Sequence, residues 1–306
     1  MRISRMAVSA VAAAAVVIGI AGCSSSSSGS DDSTIHAVAA ENEYADVLSQ
    51  VGGHYVSVSA IMSDPNTDPH TYEASPAVAK ELRDATLVVQ NGLGYDDFMS
   101  KLEQASPVNG RKVVVAQQVL GLPDSTPNPH LWYDPKTMPA VANAIAEDLG
   151  TLQPAHKDEF EKNAAAFTAS LQPWLTALAS FAKTHPATPV AVTEPVADYM
   201  LQAAGTDIKT PWTLQAAIMN DTDPSPQDST LQDSLLNGKQ VKVFLYNQQV
   251  TDDTTSKYLA LSKSHGIPVV GVYETMPTGY TYQRWMTAEL DAMSKAVTDG
   301  TSTEKL

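Results

Sequence analysis

The sequence predicts an α/β protein of two lobes, and two observations carry that prediction. Short apolar runs alternate with helical patterns in two separate series, as in parallel sheets flanked by helices. Between the series stands one long helical stretch with a single apolar stripe. In the first series, residues 55–60, 86–90 and 111–116 read as strands, and residues 75–84 and 95–104 as helices. Ser75-Pro76 stands where an N-cap and a first helical residue belong. In the second series, residues 189–193, 241–246 and 267–272 read as strands, and 195–203, 226–236, 252–264 and 281–297 as helices.

The stretch between them reads as a helix over 135–150 and a longer one over 154–183. In the longer one Phe160, Ala164, Phe167, Leu171, Leu175 and Leu178 recur at steps of three or four. Pro173 lacks a backbone donor and is expected to kink it. About 30 helical residues extend about 45 Å, which braces two lobes rather than joining them loosely.

Composition narrows the function. The 306 residues suffice for two domains, and 43% hydrophobic content is too rich for a disordered chain. With 34 acidic against 19 basic residues the net charge is −15, which excludes a protein that grips nucleic-acid backbones. The single cysteine, Cys23, excludes an intrachain disulfide, a cysteine-ligated zinc finger and an iron–sulfur cluster.

Arg2 and Arg5 precede an apolar run from Met6 to Ile20. The run is short for a bilayer span of about 20 residues but has the length of an export signal. Ile20-Ala21-Gly22-Cys23 resembles the bacterial lipobox, in which cleavage before the cysteine accompanies attachment of diacylglycerol to its sulfur. The polar, low-complexity run Ser24 to Thr34 suits a flexible tether. The expected organisation is a lipoprotein signal peptide over 1–22, an acylated cysteine and tether over 23–34, an N-terminal lobe over 35–153, a linking helix over 154–185 and a C-terminal lobe over 186–306. Such a chain is exported and lipid-anchored on the extracytoplasmic face of the cell membrane.

Of the seven histidines, five have ordinary readings. His36 falls in a strand, His54 in a turn, His156 and His185 at the ends of the long helix, and His265 at a helix exit. His70 and His130 each follow a proline, in loops at the edges of the first α/β series. Ligands of open sheets bind at such edges, and proline reduces the entropy lost on ordering a loop. Asp68 and Glu73 near the first imidazole, and Asp134 near the second, are placed to fix ring tautomers. A metal shared by the two imidazoles competes here with surface or core roles. Glu194 and Glu274 each follow a strand of the second series; they either complete a metal shell or stand in first helical turns, where the dipole favours carboxylates. Tyr246-Asn247-Gln248-Gln249 ends a strand on the same side. Tyr72, Trp132, Tyr133 and Tyr273 read as packing around these loops rather than as a platform for an organic ligand.

Six pieces in order, behind the lipobox, decide between these readings: Asp68-Pro-His-Thr-Tyr-Glu73, Asn91-Gly-Leu-Gly94, Asn128-Pro-His-Leu-Trp132, Thr193-Glu194, Pro224-Ser-Pro226 and Glu274. From about residue 35 to 297 the chain resembles the metal-binding lipoprotein subunits of bacterial ABC importers for zinc and manganese. The resemblance implies two α/β lobes, each a mainly parallel sheet flanked by helices, joined by a long rigid helix with a metal cleft between them. It implies one divalent ion, Zn or Mn, as cargo, held by His70, His130, Glu194 and Glu274. It also implies an ABC permease and its ATPase as partners, a monomer, and no enzyme activity. Glu194 stands where some members use histidine, and Glu274 where many use aspartate. Zinc-specific members often carry a His-rich loop between the first two ligands, whereas residues 71–129 contain no histidine.

Two other classes fit parts of the pattern. A membrane-anchored metallohydrolase would use the same donors to activate water, but the chain has no His-Glu-x-x-His helix. A surface adhesin would make the cleft incidental.

Overall fold

The computed structural model describes residues 34–66, 72 and 75–306. The N-terminal series begins with β1 (Ile35–Glu41), α1 (Asn42–Gly52) and β2 (Val56–Met62), and continues with α2 (Pro76–Asp84), β3 (Leu87–Gln90), α3 (Asp97–Ala105), β4 (Lys112–Val115) and the short α4 (Ala116–Val119). The connection is α5 (Thr137–Leu152), α6 (Lys157–Ser170) and α7 (Gln172–Thr184). The C-terminal series is β5 (Pro189–Val192), α8 (Asp198–Ala203), β6 (Asp207–Ile208), α9 (Trp212–Met219), α10 (Pro226–Asn237), β7 (Val243–Asn247), α11 (Asp253–Ser264), β8 (Val269–Val272) and α12 (Tyr282–Asp299).

Each series forms one parallel sheet. The strand orders are β2-β1-β3-β4 and β6-β5-β7-β8, so the two sheets share one topology. In both, the chain runs outward to one edge and then returns past its first strand. Strand C-termini beside that reversal form the crevice where open α/β sheets bind ligands.

The inner strands β3 and β7, with β8, are buried along their whole length and read as nearly unbroken apolar runs, whereas edge strand β2 alternates and is only half-buried. Val38, Ala40 and Val88 pack with Leu82 and Met99 on one outer face. Phe244 and Val269 pack with Leu214, Leu235 and Tyr258 on the other. The inner faces share one core, in which Tyr44, Val89, Trp132, Phe160, Trp174, Val192, Leu245 and Trp285 belong to a single cluster.

The expected single helix over 154–183 is two helices after a short turn of Pro154–His156, with the break at Leu171. Pro173 has no N–H to donate and its ring opposes the carbonyl four residues earlier, so the first helix ends ahead of it. The proline then occupies the opening turn of α7, where a missing donor costs nothing. The apolar stripe shifts phase at this point. Phe160, Ala164, Phe167 and Leu171 are buried as expected, but beyond the break Trp174, Leu178 and Phe181 face the core and Leu175 only half does. The bracing role survives the break, since α6 packs on α1 and α5 while α7 packs on α8 and α12.

A second brace lies outside that segment. Asn42 on α1 donates to the Met276 carbonyl at 2.8 Å and accepts from the Met276 N–H at 2.9 Å. Asp46 accepts from the Tyr282 N–H at 2.8 Å, and the Gln50 and Gln283 amides exchange bonds of 2.7 and 3.1 Å. Two elements thus hold the lobes at a fixed separation. Among the described residues no helix is long and apolar enough to cross a membrane; the proposed export signal, Cys23 and most of the tether lie outside them.

Candidate metal centre

Three neighbouring strands deliver the C-terminal donors. Glu194 lies two residues beyond β5, Asn247 ends β7, and Glu274 lies two residues beyond β8. Because β7 is central, its side-chain amide reaches both neighbours: Asn247 Nδ2 donates to Glu194 Oε1 at 3.0 Å and to Glu274 Oε1 at 2.7 Å. Neither glutamate stands in a first helical turn, since α8 begins at Asp198 and α12 at Tyr282. Both are buried, as is Asn247. Gln249 fixes the backbone here, its Oε1 accepting from the Glu274 N–H at 2.6 Å and the Thr275 N–H at 2.9 Å.

His130 comes from the N-terminal lobe, in the loop between α4 and α5. It caps a short 3₁₀ turn (Leu131–Tyr133) after the Asn128-Pro129 dipeptide, and its ring is fully buried. Asn128 Oδ1 accepts from the His130 N–H at 3.0 Å and lies 2.7 Å from Nδ1. Because Asn128 Oδ1 also accepts from a backbone N–H, that contact puts a proton on Nδ1 and directs Nε2 toward Glu274. Nε2 stands 3.3 Å from Glu274 Oε2, and Tyr95 O–H donates to the same oxygen at 3.0 Å. Asn128 Nδ2 donates to the Pro195 carbonyl at 2.9 Å, so the loop of His130 is joined to that of Glu194.

Glu274 therefore lies beside His130 and, through Asn247, is linked to Glu194. His70, with Asp68 and Glu73, lies outside the described residues. Among the described residues alone, no three His, Cys, Asp or Glu side chains make a group that holds a metal ion. The five other histidines stand in their expected places: His36 in β1, His54 and His156 in 3₁₀ turns, and His185 and His265 capping α7 and α11. Trp132, Tyr133 and Tyr273 are buried packing residues, while Tyr72 is half-buried against Phe98.

Tyr95, Asn128, Asn247 and Gln249 hold His130, Glu194 and Glu274 in place. Asn128 was legible within the Asn-Pro-His loop and Asn247 at its strand end, but no spacing signal singles out Tyr95. It sits after Gly92-Leu93-Gly94, where all three residues have positive φ and Leu93 N–H donates to Gln117 at 2.9 Å. A Cβ on Gly92 would meet both Val115 and Gln117 at 2.9 Å, so only glycine admits this tight turn.

Behind the donors the N-terminal sheet buries three further carboxyls, Glu41, Glu43 and Asp96. Burial pushes Asp96 up to about 6, against the backbone N–H groups of Gly92 and Asn91 that favour its charged form. Burial likewise raises Glu41 and Glu43 well above the usual carboxylate range, and the negative field of Glu274 adds to the effect on Glu43. Sequence patterning missed this trio because Glu41 and Glu43 look like an ordinary strand exit.

A family described as "Zinc-uptake complex component A periplasmic" (ZnuA) matches residues 37–296. The manganese-binding lipoprotein MntA of Bacillus subtilis is 28% identical over 149 residues, 47% of this chain and 48% of that protein. The zinc-binding protein TroA of Treponema pallidum is 30% identical over 134 residues, 42% of each chain. The chain thus spans about half the length of the curated relatives it matches. Among solved structures, the periplasmic zinc-binding protein TroA of T. pallidum superposes with a TM-score of 0.74 at 19% identity, over 86% of this chain and 99% of that one. An Mn-bound periplasmic metal-binding protein of Candidatus Liberibacter asiaticus gives 0.71 at 17%, over 86% and 100%. These likenesses fix the two-lobed fold, and the family is one of metal-binding solute-binding proteins rather than enzymes. With its match running through both sheets and the segment between them, the chain belongs to the periplasmic zinc-uptake component A family.

Proposed function

We propose that the protein captures one divalent transition-metal ion, zinc or manganese, outside the cytoplasm and delivers it to an ABC permease driven by its ATPase. In this reading His70, His130, Glu194 and Glu274 ligate the ion. Cleavage after residue 22 leaves Cys23 acylated, and the Ser-rich tether holds a monomer at the membrane. The observation that supports the proposal is the contact of His130 from one lobe with Glu274 from the other, with Asn247 donating to both Glu194 and Glu274.

The chemistry of the donors suits the cargo. Two neutral imidazoles and two carboxylates balance a divalent cation in a largely dry cleft. Monodentate carboxylates give the four-coordinate shell that Zn²⁺ takes, whereas bidentate ones reach the higher coordination suited to Mn²⁺. Entry of the ion replaces the contact between His130 and Glu274, and the two braces confine closure to small movements. Release follows docking on the permease rather than any chemical turnover.

Mass spectrometry of protein purified without chelator or added metal tests this, together with competitive Zn²⁺ and Mn²⁺ titration of the native chain and Glu194→Ala. About one ion per chain, held more weakly by the variant, is expected. Manganese retained under competition identifies a manganese importer; zinc that persists after metal-starved growth identifies a zinc importer. Absence of stoichiometric metal in the native chain removes the assignment.

A further inference from the structure

We propose that Glu289, on α12 and remote in sequence from every proposed ligand, is a positioning residue that slows release of the ion by pinning the loops of His130 and Glu274 to each other. The inference rests on the ligand assignment above and adds to it a device for holding the two lobes in register.

The pin is the phenol of Tyr133. This residue closes the 3₁₀ turn that His130 begins, and it belongs to the N-terminal half of the site. Its hydroxyl donates to the carbonyl of Tyr273 at 2.9 Å, and Tyr273 immediately precedes Glu274. One hydrogen bond therefore joins the backbone beside one donor to the ring beside the other. Glu289 stands on the far side of that phenol, with Oε1 3.3 Å from the Tyr133 oxygen and 3.0 Å from Trp285 Nε1, which donates to it. The Trp285 ring also meets the Tyr133 ring edge-on at a centroid distance of 5.5 Å. Tyr133, Trp285 and Glu289 are all fully buried.

A carboxyl at a core-facing position of a long helix is costly, and a leucine there would pack without that penalty. Its arrangement explains the cost. The phenol owns one proton, and the 2.9 Å contact with Tyr273 takes it. The phenol oxygen then accepts from the Tyr273 N–H at 3.5 Å and from Glu289, whose Oε1 must carry a proton to donate there. Burial pushes this carboxyl up to about 8, so it is a neutral acid at neutral pH. The resulting chain, from Glu289 through Tyr133 to the Tyr273 carbonyl, strengthens each bond by polarising the next. Glutamine with its N–H₂ at the place of Oε1 keeps the bond to the phenol but cannot accept from Trp285; leucine preserves neither contact.

The full chain, loaded with Zn²⁺ or Mn²⁺, is mixed with excess chelator, and the release rate is followed for the native protein, Glu289→Gln, Glu289→Leu and Tyr133→Phe. The melting temperature is recorded with and without metal. Glu289→Gln should release within about threefold of the native rate, while Glu289→Leu and Tyr133→Phe release about tenfold faster or more, the usual scale for groups that orient ligands. All should still bind one ion. The gain in melting temperature on loading should shrink in the two fast variants. Native release rates in Tyr133→Phe, or a Glu289→Leu variant whose metal-free melting point falls while its release rate and loading gain stay native, would overturn the proposal. If Glu289→Leu fails to fold, Tyr133→Phe decides. A native chain that binds no stoichiometric metal removes the ligand assignment itself, which is a distinct result.

Discussion

The two sheets have the same strand order and direction, yet they present their side chains differently. Central strand β3 is followed at once by Asn91, and its counterpart β7 ends on Asn247. Asn247 donates directly to the two carboxylates. Asn91 donates to the carbonyl of Pro129 at 2.8 Å, one residue before His130, and accepts from the Tyr44 hydroxyl at 2.6 Å. The C-terminal sheet thus sets its donors by side-chain bonds at the strand ends. The N-terminal sheet sets His130 through the backbone of a proline loop and fills its own strand ends with Glu41 and Glu43. Topology determines where the site lies, whereas loop chemistry determines which atoms reach it.

The largest effect expected from this comparison comes from removing a donor on either side. Glu274→Ala and His130→Ala should each weaken metal retention by more than about 100-fold, beyond the range of groups that only orient ligands. Competitive titration against a chromogenic chelator measures this. A hundredfold loss from one variant with native affinity in the other would mean that one sheet alone holds the ion.

Next comes the pair of asparagines. Asn247→Ala should cost about 10- to 100-fold in affinity, because both carboxylates lose the donor that aligns them. Asn91→Ala should cost less affinity but more stability, roughly 1–3 kcal/mol, since the Pro129 carbonyl and the buried Tyr44 hydroxyl lose partners. Titration and thermal denaturation of both variants separate the two roles. Equal losses of affinity would show that the imidazole is held as directly as the carboxylates.

The fold was legible because its signals are local. Strands covered on both faces must be apolar along their whole length, and residues 86–90 and 267–272 show this without any partner in view. The two-residue strand β6 and helix α9 carry weaker patterns, whereas α1 has a clear stripe of Tyr44, Val47, Leu48 and Val51 that the sequence reading leaves unassigned. The opening of α1 is blurred by buried Glu41 and Glu43, whose burial only the folded neighbours reveal. At the site, the Asn-Pro-His loop around His130 and the post-strand position of Glu194 and Glu274 make them candidates by local rules. The phenol of Tyr95, the bridge at Asn247 and the Tyr133–Glu289 chain depend on contacts across long stretches of sequence, and composition does not encode those.

Buried carboxyls extend the comparison to pH. Burial raises Asp96 in the N-terminal lobe to about 6, and in the C-terminal lobe Asp198 to about 7 and Glu289 to about 8. Each group binds its proton more tightly in the folded chain than in the unfolded one. Their stabilisation is therefore fully present below about pH 4 and is lost as pH rises through the folded values. The metal-free protein should melt at progressively lower temperature between about pH 5 and about pH 9, and Glu41 and Glu43 of the N-terminal lobe, raised in the same direction, add to the fall. Calorimetry across that range checks it, and Glu289→Gln should flatten the upper part. A melting temperature that rises toward pH 9 would contradict the neutral state of these groups.

The smallest effect tests where the two modes of presentation meet. Tyr95 belongs to the N-terminal lobe, but its hydroxyl donates to Glu274 Oε2, a donor of the other lobe, at 3.0 Å. Tyr95→Phe removes that proton and keeps the ring, which packs against Trp132 at 5.0 Å and His130 at 5.9 Å. Asn247 still holds the other oxygen of Glu274 at 2.7 Å, so the carboxylate keeps that anchor. A loss of about tenfold or less in affinity is expected, at the low end for orienting groups, with little change in metal-free stability. The deeper consequence is for the ion's preference. Freed of the phenol, Oε2 can turn to share the ion with Oε1, and bidentate carboxylates favour the larger coordination number of Mn²⁺ over the four-coordinate shell of Zn²⁺. Tyr95→Phe should therefore narrow the gap between zinc and manganese affinity in competitive titration. An equal loss for both ions would show that the phenol holds Glu274 in place without restricting how it binds.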